Sequence, residues 1–206
     1  MLELFISALV TFFVVIDPPG CVPIYAGLTA HADAAQRRAM AMRAVVVAGL
    51  VLLFFAIGGE PFLKALGISL DAFRIAGGAM LFLIAIDMVF EKRTERREHR
   101  AEEVQRAHSE DVSIFPMAIP MIAGPGSIAS VMLLTAQAQS TLTDLVVLAA
   151  LLVNLLLMLA GLLMAGPIMR KLGKQVEAMI TRLLGLILAA LAVQYLIDGV
   201  RGSFQL

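Results

Sequence analysis

One carboxylate, three prolines and a glycine fall within VVIDPPGCVP, Val14 to Pro23, halfway along a 27-residue stretch from Leu4 to Ala30 that otherwise has the composition of a membrane-crossing helix. A second cluster, Gly124-Pro125-Gly126-Ser127, interrupts the apolar stretch from Ser113 to Ala138. The chemistry these residues can do comes from the main chain as much as from side chains. Each proline lacks an N–H and crowds the preceding turn, so a helix containing it loses the bond to the carbonyl four residues back. The first stretch thereby frees the carbonyls of Val14, Val15 and Pro19, and in the second Pro116, Pro120 and Pro125 free those of Val112, Pro116 and Met121. Unpaired backbone is costly in hydrocarbon and persists only where protein or a watery cavity surrounds it, so both interruptions are expected to face inward.

A helix that restarts after the interruption supplies the opposite polarity. Asp17 followed by Pro18 has the form of an N-cap with proline at the first helical position. Gly124-Pro125-Gly126-Ser127 can open a half-helix whose exposed N–H groups carry partial positive charge. Such ends hold carboxylates, while freed carbonyls and Asp17 suit an ammonium or an alkali cation. Asp17 has two compatible roles: a structural cap for the Gly20 N–H, or an intramembrane carboxyl on a substrate or proton pathway whose protonation releases that cap.

The candidate substrate site therefore comprises Asp17, Gly20, Cys21, Gly124, Gly126 and Ser127, with Asp17 also the candidate for proton coupling. Asn154, at the centre of its apolar stretch, and Thr29 and Thr135 are further candidates. Their competing assignments are a bond between neighbouring helices for Asn154 and bonds to their own helix backbone for the threonines. Asp87 and Asp198 lie near stretch ends and are assigned to the interfaces, and Arg43, Arg74 and Arg182 can snorkel to headgroups. The glycines of Ala76–Ala79, with Gly161 and Gly185, are assigned to close helix packing. No Lys or Arg lies deeper than Arg43 or Arg74 in any apolar stretch, so a neutral, zwitterionic or monovalent solute fits better than a multiply charged anion.

The elements that must position these groups follow from composition. The 206 residues are 60% hydrophobic and 16% charged, with a mean hydropathy of +0.92, which places the chain in a bilayer. Apolar stretches run at Leu4–Ala30, Ala39–Gly58, Ala72–Phe90, Ser113–Ala138, Leu145–Met169 and Leu183–Ile197. Most approach the ~20 residues that cross ~30 Å of hydrocarbon, giving six expected spans in a single membrane domain, residues 1–206. A cleaved signal peptide ending near Ala30-His31-Ala32 is the lesser alternative for the first, since no Lys or Arg precedes it. With six spans, 13 of the 16 Lys and Arg residues fall on one side: Arg37, Arg38, Arg43, Lys92, Arg93, Arg96, Arg97, Arg100, Arg106, Arg170, Lys171, Lys174 and Arg182. Lys64, Arg74 and Arg201 fall on the other. The positive-inside rule then puts both termini outside and the basic loops in the cytoplasm of a cytoplasmic (inner) membrane.

An offset of 106 positions lays Ile16, Pro19, Gly20, Leu28, Thr29, Ala30 and Ala32 on Ile122, Pro125, Gly126, Leu134, Thr135, Ala136 and Ala138. It also lays Pro61, Leu66 and Gly67 on Pro167, Leu172 and Gly173, and with two residues of slippage Arg74-Ile75-Ala76-Gly77 meets Arg182-Leu183-Leu184-Gly185. Three spans per half is an odd number, so the second half enters the membrane from the opposite face. The expected fold class is an all-α membrane protein, six helices in two inverted three-helix repeats (1–90 and 113–206), with helices 1 and 4 broken at the bilayer midplane. The segment 91–112 joins the halves, and with 13 charged residues in 22 it is expected to be a solvated cytoplasmic linker.

Other function classes find little support. His31, His99 and His108 form no ligand pair, no nucleophile has a base at a telling spacing, and no catalytic residue, metal or cofactor is expected. The glycine cluster lacks the downstream lysine of a phosphate loop. Arginines of the 91–112 segment are offset by Glu95, Glu98, Glu102, Glu103, Glu110 and Asp111, which argues against nucleic acid. Cys21, the single cysteine, can form no internal disulfide.

Through IDPPGCVPIY, LGIS followed by FRIAGG, PMAIPMIAGPGSIA and RLLGLILAALAVQYLIDGV, the chain resembles the MarC family of integral membrane proteins, which includes small neutral amino acid transporters of the SnatA type. The resemblance covers essentially the whole chain. Where the family pattern reads Asp-Pro-x-Gly-Asn-x-Pro, this chain has Cys21 in place of the asparagine. The resemblance implies a six-span inverted-repeat fold and transport of glycine, alanine or serine coupled to protons. The expected function is accordingly a secondary transporter working by alternating access, with a small neutral amino acid and membrane lipid as its partners. An exporter or channel-like pathway for another small solute or ion is the alternative, and a non-transporting scaffold ranks third.

Overall fold

The computed structural model describes residues 1–106, 111–137 and 140–204, apart from the side chains at 100–106, 171–175 and 177. Residues 107–110 of the expected linker, with His108, and Ala138 of the fourth apolar stretch lie outside the described residues. The first apolar stretch forms two helices, α1 (Leu2–Ile16) and α2 (Pro18–Leu28), joined at Asp17. Then come α3 (Ala34–Ala65), α4 (Leu70–Val89) and α5 (Lys92–Arg106). An irregular segment, π1 (Ser113–Ile122), with non-helical dihedrals at Phe115, Ile119 and Pro120, leads to α6 (Pro125–Ala136), and α7 (Thr141–Leu163) and α8 (Ala165–Phe204) complete the chain.

Local sequence explains most boundaries. Asp33 caps α3 through the Gln36 N–H while the Gln36 side chain returns the bond to the Asp33 N–H, and Ser140 with Thr143 repeats this reciprocal cap at α7. Ser69 caps α4 at the Ala72 N–H, 3.1 Å away. After α3, Gly67 at φ 70 lets the Ile68 N–H reach back to the Leu63 carbonyl at 3.0 Å, a left-handed turn that favours glycine. The fifth apolar stretch was expected to run to Met169, yet α7 stops at Leu163 and the next residues begin α8. Pro167 there sits in the first turn of a helix, where its missing N–H has no intrahelical partner to lose.

Leu2–Leu28, Ala34–Ala65, Leu70–Val89, Thr141–Leu163 and Ala178–Phe204 are long and apolar enough to cross a membrane, and π1 with α6, bent by 53°, makes a sixth span if the two are taken together. Large apolar side chains point outward from these helices, Phe54 at 68% and Ile57 at 69% exposed. In water such a surface invites association; lipid covers it. The main core gathers Phe12, Ile16, Tyr25, Leu52, Met117, Ile122 and Met158 from α1, α2, α3, π1 and α7. A second core joins Val14 and Val15 to Leu81, Leu133 and Leu188. In it α4 and α8 run antiparallel at close range, because a Cβ on Gly78 would meet the Ala192 carbonyl oxygen at 2.9 Å and one on Gly185 the Met88 Cβ at 2.9 Å.

Candidate functional site

α1 ends because Pro18 cannot donate to the turn before it, and Asp17 bridges the two helices at φ 59 and ψ 65. Aspartate tolerates this left-handed conformation better than most residues because its short side chain bonds locally. Here Oδ1 accepts the Gly20 N–H at 3.1 Å and caps α2. The other oxygen, Oδ2, accepts from the Arg97 guanidinium at 2.9 Å. Asp17 is 1% exposed and Arg97 9%, so this is a buried ion pair. Gly20 makes room for it: a Cβ there would lie 2.3 Å from Asp17 Oδ2 and 3.0 Å from Arg97 Nη1.

Arg97 comes from α5, within the charged segment expected to be solvated. That expectation fails for two of its arginines. Arg93, one turn earlier on the same face, donates to the Val15 carbonyl at 2.8 Å and to the Met88 sulfur at 2.9 Å, and its Nη1 lies 4.0 Å from Asp17 Oδ2. Burial first, and then the neighbouring Arg97 charge, pull the Arg93 guanidinium down to about 10, with Asp17 opposing; it stays cationic at neutral pH. The physical reason is the carboxylate itself. A buried charge is costly unless paired, and α5 is the adjacent element that carries cations at helical spacing.

The second interruption has no charge of its own. π1 bonds five residues back, Met117 N–H to Val112 and Ala123 N–H to Ala118, so the Val112 carbonyl expected to be free is taken. Gly124 is extended and α6 starts at Pro125 with no side-chain cap. The Met121 carbonyl lies 3.5 Å from Arg97 Nη2. One guanidinium thus spans both interruptions. Gly126 brings the start of α6 against α1 and α4, since a Cβ on it would meet Ile84 Cδ1 at 2.7 Å and Val15 Cγ1 at 3.2 Å. Beside this junction lies a cavity of about 420 Å³ walled by Arg93, Arg96, Arg97, Asp87, Met121 and Gly124 to Ser127. Arg96 pairs with Asp87 across its rim.

Of the residues singled out from sequence, Asp17, Gly20, Gly124, Gly126 and Ser127 therefore lie around Arg97 and its cavity. Cys21 is buried one turn into α2, its thiol directed at the Ile16 carbonyl 3.6 Å away. Asn154 is elsewhere: its Nδ2 donates to Leu9 at 3.0 Å and Ala150 at 3.1 Å, fastening α7 to α1. Thr29 bonds the Tyr25 carbonyl at 2.8 Å and Thr135 the Val131 carbonyl at 2.9 Å, each within its own helix and at the end away from the interruption. Thr29 borders a different cavity, shared with Arg37, Arg38 and Arg170. Arg93 and Arg97 escaped sequence reasoning. The signal that could have found them was an intramembrane aspartate with no counter-charge in any span, next to a helix with arginines four apart.

A family model described as MarC family integral membrane protein matches residues 2–204. A UPF0056 membrane protein of Methanocaldococcus jannaschii is 38% identical over 98% of both chains. One of Archaeoglobus fulgidus is 36% identical over 96% of this chain and 92% of its own. The UPF0056 inner membrane protein YhgN of Escherichia coli is 35% identical over 95% of each chain. No solved structure matches.

Proposed function

The chain belongs to the MarC family of integral membrane proteins, and from that premise we propose that it is a secondary transporter of small neutral amino acids, of the glycine, alanine and serine class, coupled to protons. The observation that carries the proposal is the bridge that Arg97 makes between the two helix starts: it holds the Asp17 carboxylate that caps α2, and with the α6 start at Pro125 it walls one cavity. The start of α6 offers positive potential to a substrate carboxylate. Asp17 with the main-chain oxygens of Val15 and Met121 suits an ammonium. In the conformation described, arginines occupy those oxygens, so the site is closed by the protein's own cations.

Alternating access would come from rocking one three-helix half (1–90) against the other (113–206), both interruptions lying near the bilayer midplane. Several features support an inverted repeat. The reciprocal caps at Asp33 and Ser140 fall at matching places, as do the back-bonded Thr29 and Thr135. α7 packs on α1 and α2 as α3 packs on π1 and α6. The distribution of Lys and Arg favours termini outside an inner membrane and segment 91–112 in the cytoplasm, so α5 would close the pathway from the cytoplasmic side. Asp17 is the proposed proton carrier: neutralising it removes what holds Arg97, coupling protonation to opening.

Uptake of labelled alanine, glycine and serine into proteoliposomes, with and without a pH gradient, tests the proposal. Saturable flux that rises with the gradient is expected, and Asp17→Asn should abolish its pH dependence. Absence of flux for all three amino acids defeats the substrate assignment, and unchanged pH dependence in Asp17→Asn defeats the coupling role.

A further inference from the structure

We propose that the cavity bounded by Arg37, Arg38 and Arg170 binds the headgroup of an anionic phospholipid, at the end of the bundle that the Lys and Arg distribution assigns to the cytoplasmic leaflet. The site is separate from the Asp17 interruption, and its occupancy does not depend on what the protein transports.

Its depth follows from the elements that meet there. α2 ends at Leu28, α3 starts at Ala34, α7 ends at Leu163 and α8 starts at Ala165, and residues of all four wall one cavity of about 420 Å³. Leu2–Leu28, Ala34–Ala65 and Thr141–Leu163 are each long and apolar enough to cross a membrane. Their shared ends therefore mark the level where hydrocarbon gives way to headgroups. The volume lies in the ~300–1,000 Å³ range of small-molecule sites and has room for a phosphoglycerol group.

Charge then selects the ligand. Three guanidinium side chains line this space, and among the described residues no carboxylate does. Arg38 and Arg170 make no ion pair or hydrogen bond among the described residues. Arg37 is tied down within the first turn of α3: its Nε donates to the Ala32 carbonyl at 2.9 Å, and its own carbonyl accepts the Tyr25 hydroxyl. Like charges gathered around one space repel unless an anion sits among them, and the planar fork of arginine matches phosphate through paired N–H groups. Basic pockets between helices on the cytoplasmic side hold anionic headgroups for this reason.

The neighbouring surface favours a lipid over a free phosphate. Leu162 and Leu163 line the same cavity, and Leu163 is 46% and the adjoining Met164 54% exposed. The space thus continues from the arginines onto an apolar face, which suits a ligand with a charged head and a hydrocarbon tail. A zwitterionic lipid brings an ammonium that three arginines repel, so the headgroup must carry net negative charge. Once seated, it touches residues from both halves of the chain, 1–90 and 113–206, and ties them together at this end.

Native mass spectrometry of the full chain, released from detergent micelles after titration with phosphatidylglycerol or phosphatidylcholine, tests this. Wild type should retain one phosphatidylglycerol at least about tenfold more tightly than phosphatidylcholine. Arg38→Gln with Arg170→Gln should weaken phosphatidylglycerol roughly 30-fold, a factor of about 5 for each arginine near an anionic surface. Both side chains are exposed and outside the two cores, so folding is not at stake. Lys64→Gln with Arg201→Gln removes the same charge at the opposite end and should leave the affinity within about twofold of wild type. Excess glycerol phosphate, a headgroup without tails, should not displace the lipid. No retained phosphatidylglycerol, equal retention of both lipids, or equal loss in the two double variants overturns the site. Displacement by glycerol phosphate overturns the lipid assignment and gives the arginines to a free phosphate ester.

Discussion

The two interruptions, at Asp17 and at Ala123 106 positions later, solve the same problem with different chemistry. At the first, one residue separates two helices, and a carboxylate satisfies the first free N–H of α2. At the second, the ten residues of π1 bend irregularly, with main-chain bonds from Met117 and Ala123, and α6 starts without a side-chain cap. A helix that begins inside a membrane protein needs its first N–H groups satisfied or wetted. Using a carboxylate does this at the cost of a buried charge, and the charge demands a counter-ion. The inward turn of Arg93 and Arg97 therefore follows from a single residue, and the uncharged interruption needs no such guests of its own.

The comparison breaks first at the ion pair. Arg97→Ala leaves Asp17 charged and buried with only Arg93, 4.0 Å from Oδ2, beside it, an expected loss of up to roughly 3–5 kcal/mol and a fall in the thermal unfolding midpoint on the order of 10 °C. The double variant Asp17→Asn with Arg97→Gln removes both charges and should recover most of that loss. Ser127→Ala, at the uncharged interruption, should cost about 1 kcal/mol or less. Differential scanning fluorimetry on the four proteins decides it. A double variant no more stable than Arg97→Ala would mean that the arginine stabilises through packing alone and that Asp17 is no source of the asymmetry.

A smaller effect separates the glycines. Gly20→Ala pushes a methyl into the fixed Asp17–Arg97 contact, at 2.3 Å from Oδ2, and is expected to cost about 2 kcal/mol through overpacking. At Gly126 the methyl meets the terminal Cδ1 of Ile84 at 2.7 Å, and a flexible side-chain end can move aside. Gly126→Ala should therefore lose less than about 1 kcal/mol, since both positions are helical and the gain in helix propensity cancels between them. Equal losses in unfolding midpoint would show the second interruption to be as rigidly packed as the first.

How legible these features were depends on how local their causes are. Proline and aspartate chemistry act within a turn, so the junction at Asp17, its bond to the Gly20 N–H and the start of α6 at Pro125 could be argued from a few residues. Hydropathy located the spans but not their ends, as α7 stopping at Leu163 shows, because apolar residues continue across the boundary into α8. The docking of α5 was hidden for another reason. Arg93 and Arg97 look solvated when averaged over a segment with 13 charges in 22 residues, and their burial depends on a carboxylate 80 positions earlier in the chain. Nor does the sequence of π1 reveal that the Met117 N–H reaches five residues back and takes the Val112 carbonyl.

The mildest test asks how far the site extends from the interruptions. Thr29 and Thr135 lie 106 positions apart, and each spends its hydroxyl on the carbonyl four residues back. Removing that bond does not orphan the Tyr25 carbonyl, which still accepts the Thr29 N–H at 3.0 Å. Valine keeps the branched shape, so Thr29→Val and Thr135→Val should each change stability by only about 0.6 kcal/mol, the usual scale of such polar contacts in membrane helices. On the transporter reading proposed above, alanine affinity, measured by calorimetric titration of the chain in lipid nanodiscs, should stay within about twofold of wild type for both. The two halves then behave alike at their far ends and differ only where Asp17 stands. A loss of tenfold or more from Thr135→Val alone would place substrate contacts along α6, shifting the functional asymmetry from the carboxylate to the helix that lacks one.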